Sequence, residues 1–168
     1  MSLLPPDVHA ELAQLLQAVQ SSDNSIRSQA EEHLQNNWTN TRPEVLLMGL
    51  AEQIQAAGET AVRFPPSARP CCALADCFLC LQTRSFAAVI FRRIASKTRR
   101  NEKGENLEMF IALPADQAAV IRQKLLETLG TESDRAVRNK ISDAVAELAR
   151  QYSDNSPYPD RNPSWQRI

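Results

Sequence analysis

Asp134-Arg135-Ala136-Val137-Arg138-Asn139-Lys140-Ile141-Ser142-Asp143-Ala144-Val145-Ala146-Glu147-Leu148-Ala149 is the stretch whose pattern decides the fold. Val137, Ile141, Ala144, Val145 and Leu148 recur at three- and four-residue steps, the period of one helix face. Thr131-Glu132-Ser133-Asp134 precedes them and supplies a cap for the helix start. The opening of this helix, Asp134-x-x-Val137-Arg138-x-x-Ile141, has a counterpart near the other end of the chain, Asp23-x-x-Ile26-Arg27-x-x-Ala30. In each copy the acid caps the helix and the β-branched residue packs. The arginine is placed to reach back to carboxylates of the neighbouring unit. Repetition of this kind predicts helix pairs stacked as repeats.

A third copy begins at Glu59-x-x-Val62-Arg63, but Phe64-Pro65-Pro66 cannot continue a helix. Joining Arg63 to Ser85 restores the pattern as Glu59-Thr60-Ala61-Val62-Arg63-Ser85-Phe86-Ala87-Ala88, with Ala87 falling where Ala30 falls in the first copy. Residues 64–84 are therefore expected to be an insertion in a repeat, such as translated intron sequence. Its second part, Ala73 to Leu81, has the makings of a short apolar helix.

The other segments fit the same plan. Pro5-Pro6-Asp7 starts a helix that runs to about Ser21, with Leu12, Leu15, Leu16 and Val19 on its apolar face. Asp23 or Asn24 caps a second helix running through Ile26, Ala30 and Leu34 to about Trp38, whose indole is expected to plug a helix junction. Pro43 starts a third, carrying Val45, Leu46, Leu47, Leu50, Ile54 and Ala57 and ending at Gly58. Ser85 to Arg100 is a helix with Phe86, Val89, Ile90 and Ile94 on one face. Ala87, Ala88 and Ala95 admit a close neighbour. Arg92, Arg93 and Lys97 lie near its end, where the macrodipole favours cations. Glu102 to Asn106 is a polar loop and Leu107 to Leu113 a short apolar segment. Pro114 starts a helix with Val120, Ile121, Leu125, Leu126 and Leu129, stopped by Gly130. Residues 1–152 thus form one repeat region interrupted at 64–84, and the proline-bearing stretch 153–168 is expected to be a disordered tail.

Composition agrees with an all-α chain. Of 168 residues only 4 are glycine and 5% aromatic, and the strand signals of alternating β-branched residues are scarce. The formal charge of -1 argues against a global field for nucleic acid. No segment has the apolar length of a membrane span, and the N-terminus lacks a secretory signal, which points to a cytosolic or nucleocytoplasmic setting with reduced thiols. Cys71, Cys72, Cys77 and Cys80 include one Cys-x-x-Cys pair without a second at ribbon spacing, so reduced thiols are the expectation rather than zinc. His9 and His33 sit on remote helices as partly exposed residues. No strand-turn-helix elbow or glycine loop is present, and no catalytic role, metal or cofactor is expected. The basic cluster from Arg92 to Lys103 has no interleaved aromatics for stacking on bases. It suits an acidic protein partner or a solvated helix end equally.

Asp23 to Trp38, Pro43-Glu44-Val45-Leu46-Leu47, Ser85 to Ile94 and Val137 to Ala149, in this order, resemble the N-terminal region of importin-β-type karyopherins, the last stretch in particular the importin beta-3 branch. The resemblance implies a HEAT-repeat α-solenoid of about three repeats. It also implies nuclear import of cargo proteins, nucleoporin partners and residence in cytoplasm, nucleus and nuclear pore. The N-terminal repeats of that family bind the GTP form of the small GTPase Ran through the second helix of each pair. Carried over, this nominates polar positions on Asn24 to Asn37, Ser85 to Lys97 and Arg135 to Arg150, with Arg92, Arg93, Lys97, Asp143 and Glu147 foremost. The repeat-motif residues Asp23, Ile26, Arg27, Ala30, Val62, Arg63, Ala87, Asp134, Val137, Arg138 and Ile141 take structural roles. Such receptors run for many more repeats, so a truncated product, with an uncapped apolar flank, is a further expectation. A HEAT scaffold that positions an enzyme is the alternative from another class.

Overall fold

The computed structural model describes residues 4–55, 73–100, 104 and 106–154, with the backbone alone for 73–80. Helix α1 spans Pro6–Val19, α2 Asn24–His33, α3 Pro43–Gln55, α4 Ala73–Ala95, α5 Ala115–Thr131 and α6 Arg135–Asp154. They form three pairs, α1 with α2, α3 with α4 and α5 with α6. Lys97 of the α4 end reaches Gln35 and Arg84 of α4 reaches Ile54 and Glu132, while Arg92 reaches Asp143. The second helices α2, α4 and α6 therefore lie side by side and run parallel, which is the stacking of a solenoid.

The helix starts follow the sequence. Pro6 opens α1, where its missing N–H is not needed. The Asp23 carboxylate accepts from the Ser25 and Ile26 amides at 2.7 and 3.4 Å. Asp134 accepts from the Val137 amide at 2.9 Å. The expected helix from Asn24 to about Trp38 is α-helical only to His33, and Leu34–Thr39 is a π-helical segment. The Asn40 amide donates to the Gln35 carbonyl at 3.0 Å, a five-residue step. Side chains serve neighbouring carbonyls at the same step, Thr39 Oγ1 to Leu34 and Thr41 Oγ1 to Asn36. This wider turn keeps Ala30, Leu34 and Trp38, spaced by four, on one buried face. Trp38 is fully buried at the junction, as expected, with the Arg42 guanidinium 4.6 Å above its ring.

Several expectations require correction. α4 does not start near Ser85 but runs unbroken from Ala73, so residues 73–84 of the expected insertion are the first half of that helix. Where α2 and α6 have Asp23 and Asp134 four residues before their arginines, α4 has Cys80 before Arg84. No acid caps the helix at that point, and it continues. The buried face of α4 is Ala87, Ala88, Phe91, Ile94 and Ala95, while Val89 is 44% exposed. Phe91 fixes this face, because its ring packs edge-on against Phe110, which meets Tyr152 in the same way, each at 6.2 Å.

Ile26 does not pack as its counterpart Val137 does. It is 48% exposed against 1%, since the first turn of α2 lies at the open edge of the stack, whereas α6 is wedged between α4 and α5. On α5, Ile121 and Leu125 are buried but Val120 and Leu126 are exposed, each one residue and so about 100° away from a buried neighbour. Gly130 does not stop α5, which ends at Thr131. Arg27 and Arg138 do not reach a neighbouring repeat's carboxylate. Arg27 bonds Asn24 and faces Glu31 on its own helix, and Arg138 donates to the carbonyls of Glu132 and Ser133.

The chain is not purely helical. Thr98–Arg100 (β1) and Asn106–Glu108 (β2) pair antiparallel, with Arg99 opposite Leu107. The Met109 amide extends the ladder to the Lys97 carbonyl at 2.8 Å, and Gly104 takes a φ of 80°, which a side chain would resist. Ser153 and Asp154, placed in the tail by sequence, complete α6. Residues 56–72, with Val62, Arg63 and the expected end of α3 at Gly58, lie outside the described residues, as do residues 155–168.

Candidate functional site

The side-by-side arrangement of α2, α4 and α6 decides which polar side chains share a surface. Arg92 of α4 and Asp143 of α6 approach to 4.0 Å across the boundary between two helix pairs, both about half exposed. Lys140, one turn before Asp143 on α6, stands at the same distance from that carboxylate. The result is a cation–anion–cation strip spanning two adjacent second helices.

Arg93 and Lys97 face the other way, toward α2. They line a trough of about 660 Å³ whose opposite wall carries Glu31, Glu32 and Gln35 and whose floor is Val19, Leu34, Phe86, Ile90 and Ile94. The Lys97 ammonium donates to Gln35 Oε1 at 3.0 Å. Partial burial, and then the charge of Arg93, hold the Lys97 pKa below its ordinary value. The α4 wall thus carries two cations, and the α2 wall two carboxylates together with Arg27, which faces Glu31 at 4.0 Å, so the trough is of mixed charge over an apolar floor.

Glu147 lies one turn beyond Asp143 on α6. Its carboxyl is held below the usual carboxylate range first by its hydrogen bond from Arg150, against a smaller opposing effect of burial, and further by Gln151 and the charge of Arg92. Arg150 holds three carboxylates, Glu147 at 2.6 Å, Asp154 at 2.5 Å and Glu108 of β2 at 2.9 Å. Those bonds hold its own pKa above its ordinary value.

The structure thus brings Arg92 and Asp143 together, places Arg93 and Lys97 in one trough, and ties Glu147 to Arg150. Lys140, Arg150, Glu31 and Gln35 belong to the same surface. They fall within the polar stretches named from sequence but not among its five foremost residues. Their signal was helical spacing, three residues between Lys140 and Asp143 and three between Glu147 and Arg150. The two histidines lie apart from this surface. His9 is half-buried beside Gln53, whose amide nitrogen lies 3.3 Å from its Nε2 and also donates to its carbonyl. His33 lies on the remote end of α2. No group of three His, Cys, Asp or Glu among the described residues could hold a metal ion. Cys71 and Cys72, and the side chains of Cys77 and Cys80, lie outside that description. No described helix is long and apolar enough to cross a membrane.

No family model matches the chain. It is 33% identical over 152 residues to importin subunit beta-3 of Saccharomyces cerevisiae, a match covering 89% of this chain and 12% of that protein. Among solved structures it is similar to Kap121p, with a TM-score of 0.61 and 30% identity over 92% of this chain and 12% of that one. It is also similar to Kap121p bound to RanGTP, with a TM-score of 0.59 and 31% identity over 86% of this chain and 11% of that one. A third neighbour is Kap121p bound to the extreme C-terminus of the protein phosphatase Cdc14p, with a TM-score of 0.57 and 26% identity over 97% of this chain and 14% of that one. The chain spans about an eighth of the length of the relatives it matches. Three stacked helix pairs and a sequence match along nearly all of it make this chain a HEAT-repeat segment related to the importin-β karyopherins, similar to importin beta-3.

Proposed function

We propose that this chain is the Ran-binding stretch of a nuclear transport receptor that carries protein cargo into the nucleus. The observation that carries the reading is the Arg92–Asp143 approach across adjacent second helices, with Arg93 and Lys97 alongside. A flat ladder of parallel helices with alternating charge suits a partner that presents both acidic and basic groups, and it steers the encounter. Kap121p, a structural neighbour, is known bound to RanGTP and to a Cdc14p peptide, which supports Ran and a cargo segment as partners of the receptor class. Nucleoporins, and shuttling between cytoplasm and nucleus through the pore, follow from the same reading.

The mechanism needs no covalent step. Ran-GTP engages α2, α4 and α6 and fixes their relative tilt. Cargo held elsewhere on the superhelix then binds less tightly, and by linkage cargo weakens Ran-GTP by the same factor.

The test is titration of the chain with Ran loaded with GTP or GDP, followed by the triple variant Arg92→Glu/Arg93→Glu/Lys97→Glu. Binding is expected to be selective for the GTP form, to weaken at least about tenfold in the variant and to fall with added salt. A far-UV spectrum unchanged by the substitutions separates lost contact from lost fold. Equal binding of both nucleotide forms would instead favour a scaffold that recognises its partner whatever nucleotide Ran holds.

A further inference from the structure

Arg84 is the last residue of the stretch 64–84, yet it occupies a structural place in the repeat. Three residues after it Ala87 is buried, as Ala30 is after Arg27 and Ile141 after Arg138. Its guanidinium is almost wholly covered. Nε donates to the Ile54 carbonyl in the last turn of α3 at 2.8 Å, and the outer nitrogen pairs with the Glu132 carboxylate, which is equally buried. The other Glu132 carboxylate oxygen accepts from the Asp134 amide at 2.8 Å, and the Glu132 carbonyl accepts from Arg138 Nη2 at 2.7 Å. The arginines of the second and third repeats converge on one glutamate, side chain and backbone respectively.

Arg63 stands immediately before residue 64. A chain joined from Arg63 to Ser85 therefore has an arginine in the same place, three residues before Ala87. It also has Glu59 four residues before that arginine, where Asp23 and Asp134 stand in the other repeats and where the full chain has Cys80. Every residue after the junction keeps its helical phase.

We propose that Arg63 and Arg84 are alternative occupants of one buried position. With residues 64–84 present, Arg84 joins α3 to the α5–α6 turn. With them absent, Arg63 makes the same ion pair with Glu132 and the same bond to the Ile54 carbonyl, and Glu59 caps the shortened helix. The stretch is thereby removable without dismantling the junction between the second and third repeats. This does not depend on what the surface binds.

The experiment is a pair of double-mutant cycles read by urea denaturation, in the full chain and in the chain lacking 64–84. In the full chain Arg84→Met is expected to lower the folding equilibrium constant about 100-fold or more, with strong coupling to Glu132→Gln and none for Arg63→Met. In the shortened chain Arg63→Met is expected to lower it by a similar factor and to couple to Glu132→Gln. If Arg84→Met leaves no folded protein, Arg84→Lys, which keeps the charge but loses the fork, supplies the cycle. A shortened chain that fails to fold would overturn the proposal, as would a shortened chain in which Arg63 and Glu132 are uncoupled.

Discussion

Arg84 and Glu132 form an ion pair between two helix pairs in which neither side chain is more than 6% exposed. Their attraction acts in a low-dielectric setting, and each has further bonds that hold its geometry. Removing one partner strands the other. Glu132→Gln is therefore expected to destabilise the fold by about 3–5 kcal/mol, while the double change Arg84→Met/Glu132→Leu, which leaves no buried charge, is expected to recover most of that loss. Urea midpoints of the three variants check the order. A double variant as unstable as Glu132→Gln would place the stabilisation elsewhere.

The two capping acids are expected to differ in weight. Asp134 lies half-buried beside Glu132 and Arg138, and Asp23 at an exposed edge. Each replacement by alanine is expected to cost about 1 kcal/mol, with Asp134→Ala the larger. Amide exchange at Ser25 and Ile26 should accelerate in Asp23→Ala while the start of α6 remains protected. Acceleration at both ends would mean that the helices open together.

Gly49 is where α1 and α3 touch. A Cβ built there would lie 2.5 Å from Leu12 Cδ2 and 3.0 Å from Leu4 Cδ1, and Leu12 is fully buried. Gly49→Ala gains about 1 kcal/mol of helix propensity but must push Leu12 out of its rotamer, at about 1–3 kcal/mol. Net destabilisation is expected in thermal melts, and adding Leu12→Ala to Gly49→Ala should remove the clash, leaving a cavity as its own cost. Additive effects of the two substitutions would show that they do not meet.

Much of this was legible in the sequence, and the exceptions share a cause. Asp23 and Asp134 announced their helices, because capping is chosen by a few adjacent residues. The face of α4 was read only in part: Ile94 is buried and Phe86 and Ile90 pack half-buried against the core, but Val89 is exposed, and Val89 and Phe91 satisfy helical spacing equally well. Only the partner Phe110, from a distant segment, selects between them. The start of α4 was misplaced for a related reason. Proline and cysteine made 64–84 look foreign throughout, while the helical half is anchored by Arg84 to residues far along the chain. In the charged surface, Arg92 and Asp143 were identified singly. Their approach follows from the packing of α4 on α6, which no local pattern encodes.

Two groups in that surface are expected to titrate away from their ordinary values. The folded pKa of Glu147 is lowered from 4.5, so its contribution to stability is present above that value and lost as pH falls through the lowered folded one. Arg150→Gln is expected to return the carboxyl toward 4.5, read by carboxyl carbon shifts. Lys97 shows the same pH sense from the opposite cause, since here the charged form is the one the fold disfavours. Its folded pKa lies below 10.5, the unfolded chain binds that proton more tightly, and stability rises with pH between the two values. Arg93→Gln should raise the Lys97 pKa only in part, because burial is the larger cause. Full restoration would make Arg93 dominant.

The pairs are joined by unlike means. Between the second and third, Arg84 couples Ile54 to Glu132 through bonds that tolerate little change in direction. Between the first and second, the close approach of Gly49 to Leu12 is apolar, the Lys97–Gln35 bond and the Arg42–Glu11 pair are exposed, and the half-buried bond from Gln53 to the His9 carbonyl is long, at 3.3 Å, and carries no ion pair. Apolar surfaces slide with little penalty as long as they stay covered. The molecule is accordingly expected to act as a spring of uneven stiffness: torsion applied along its axis should be taken up between α2 and α4, while α4 and α6 turn as one piece and carry Arg92 and Asp143 with them.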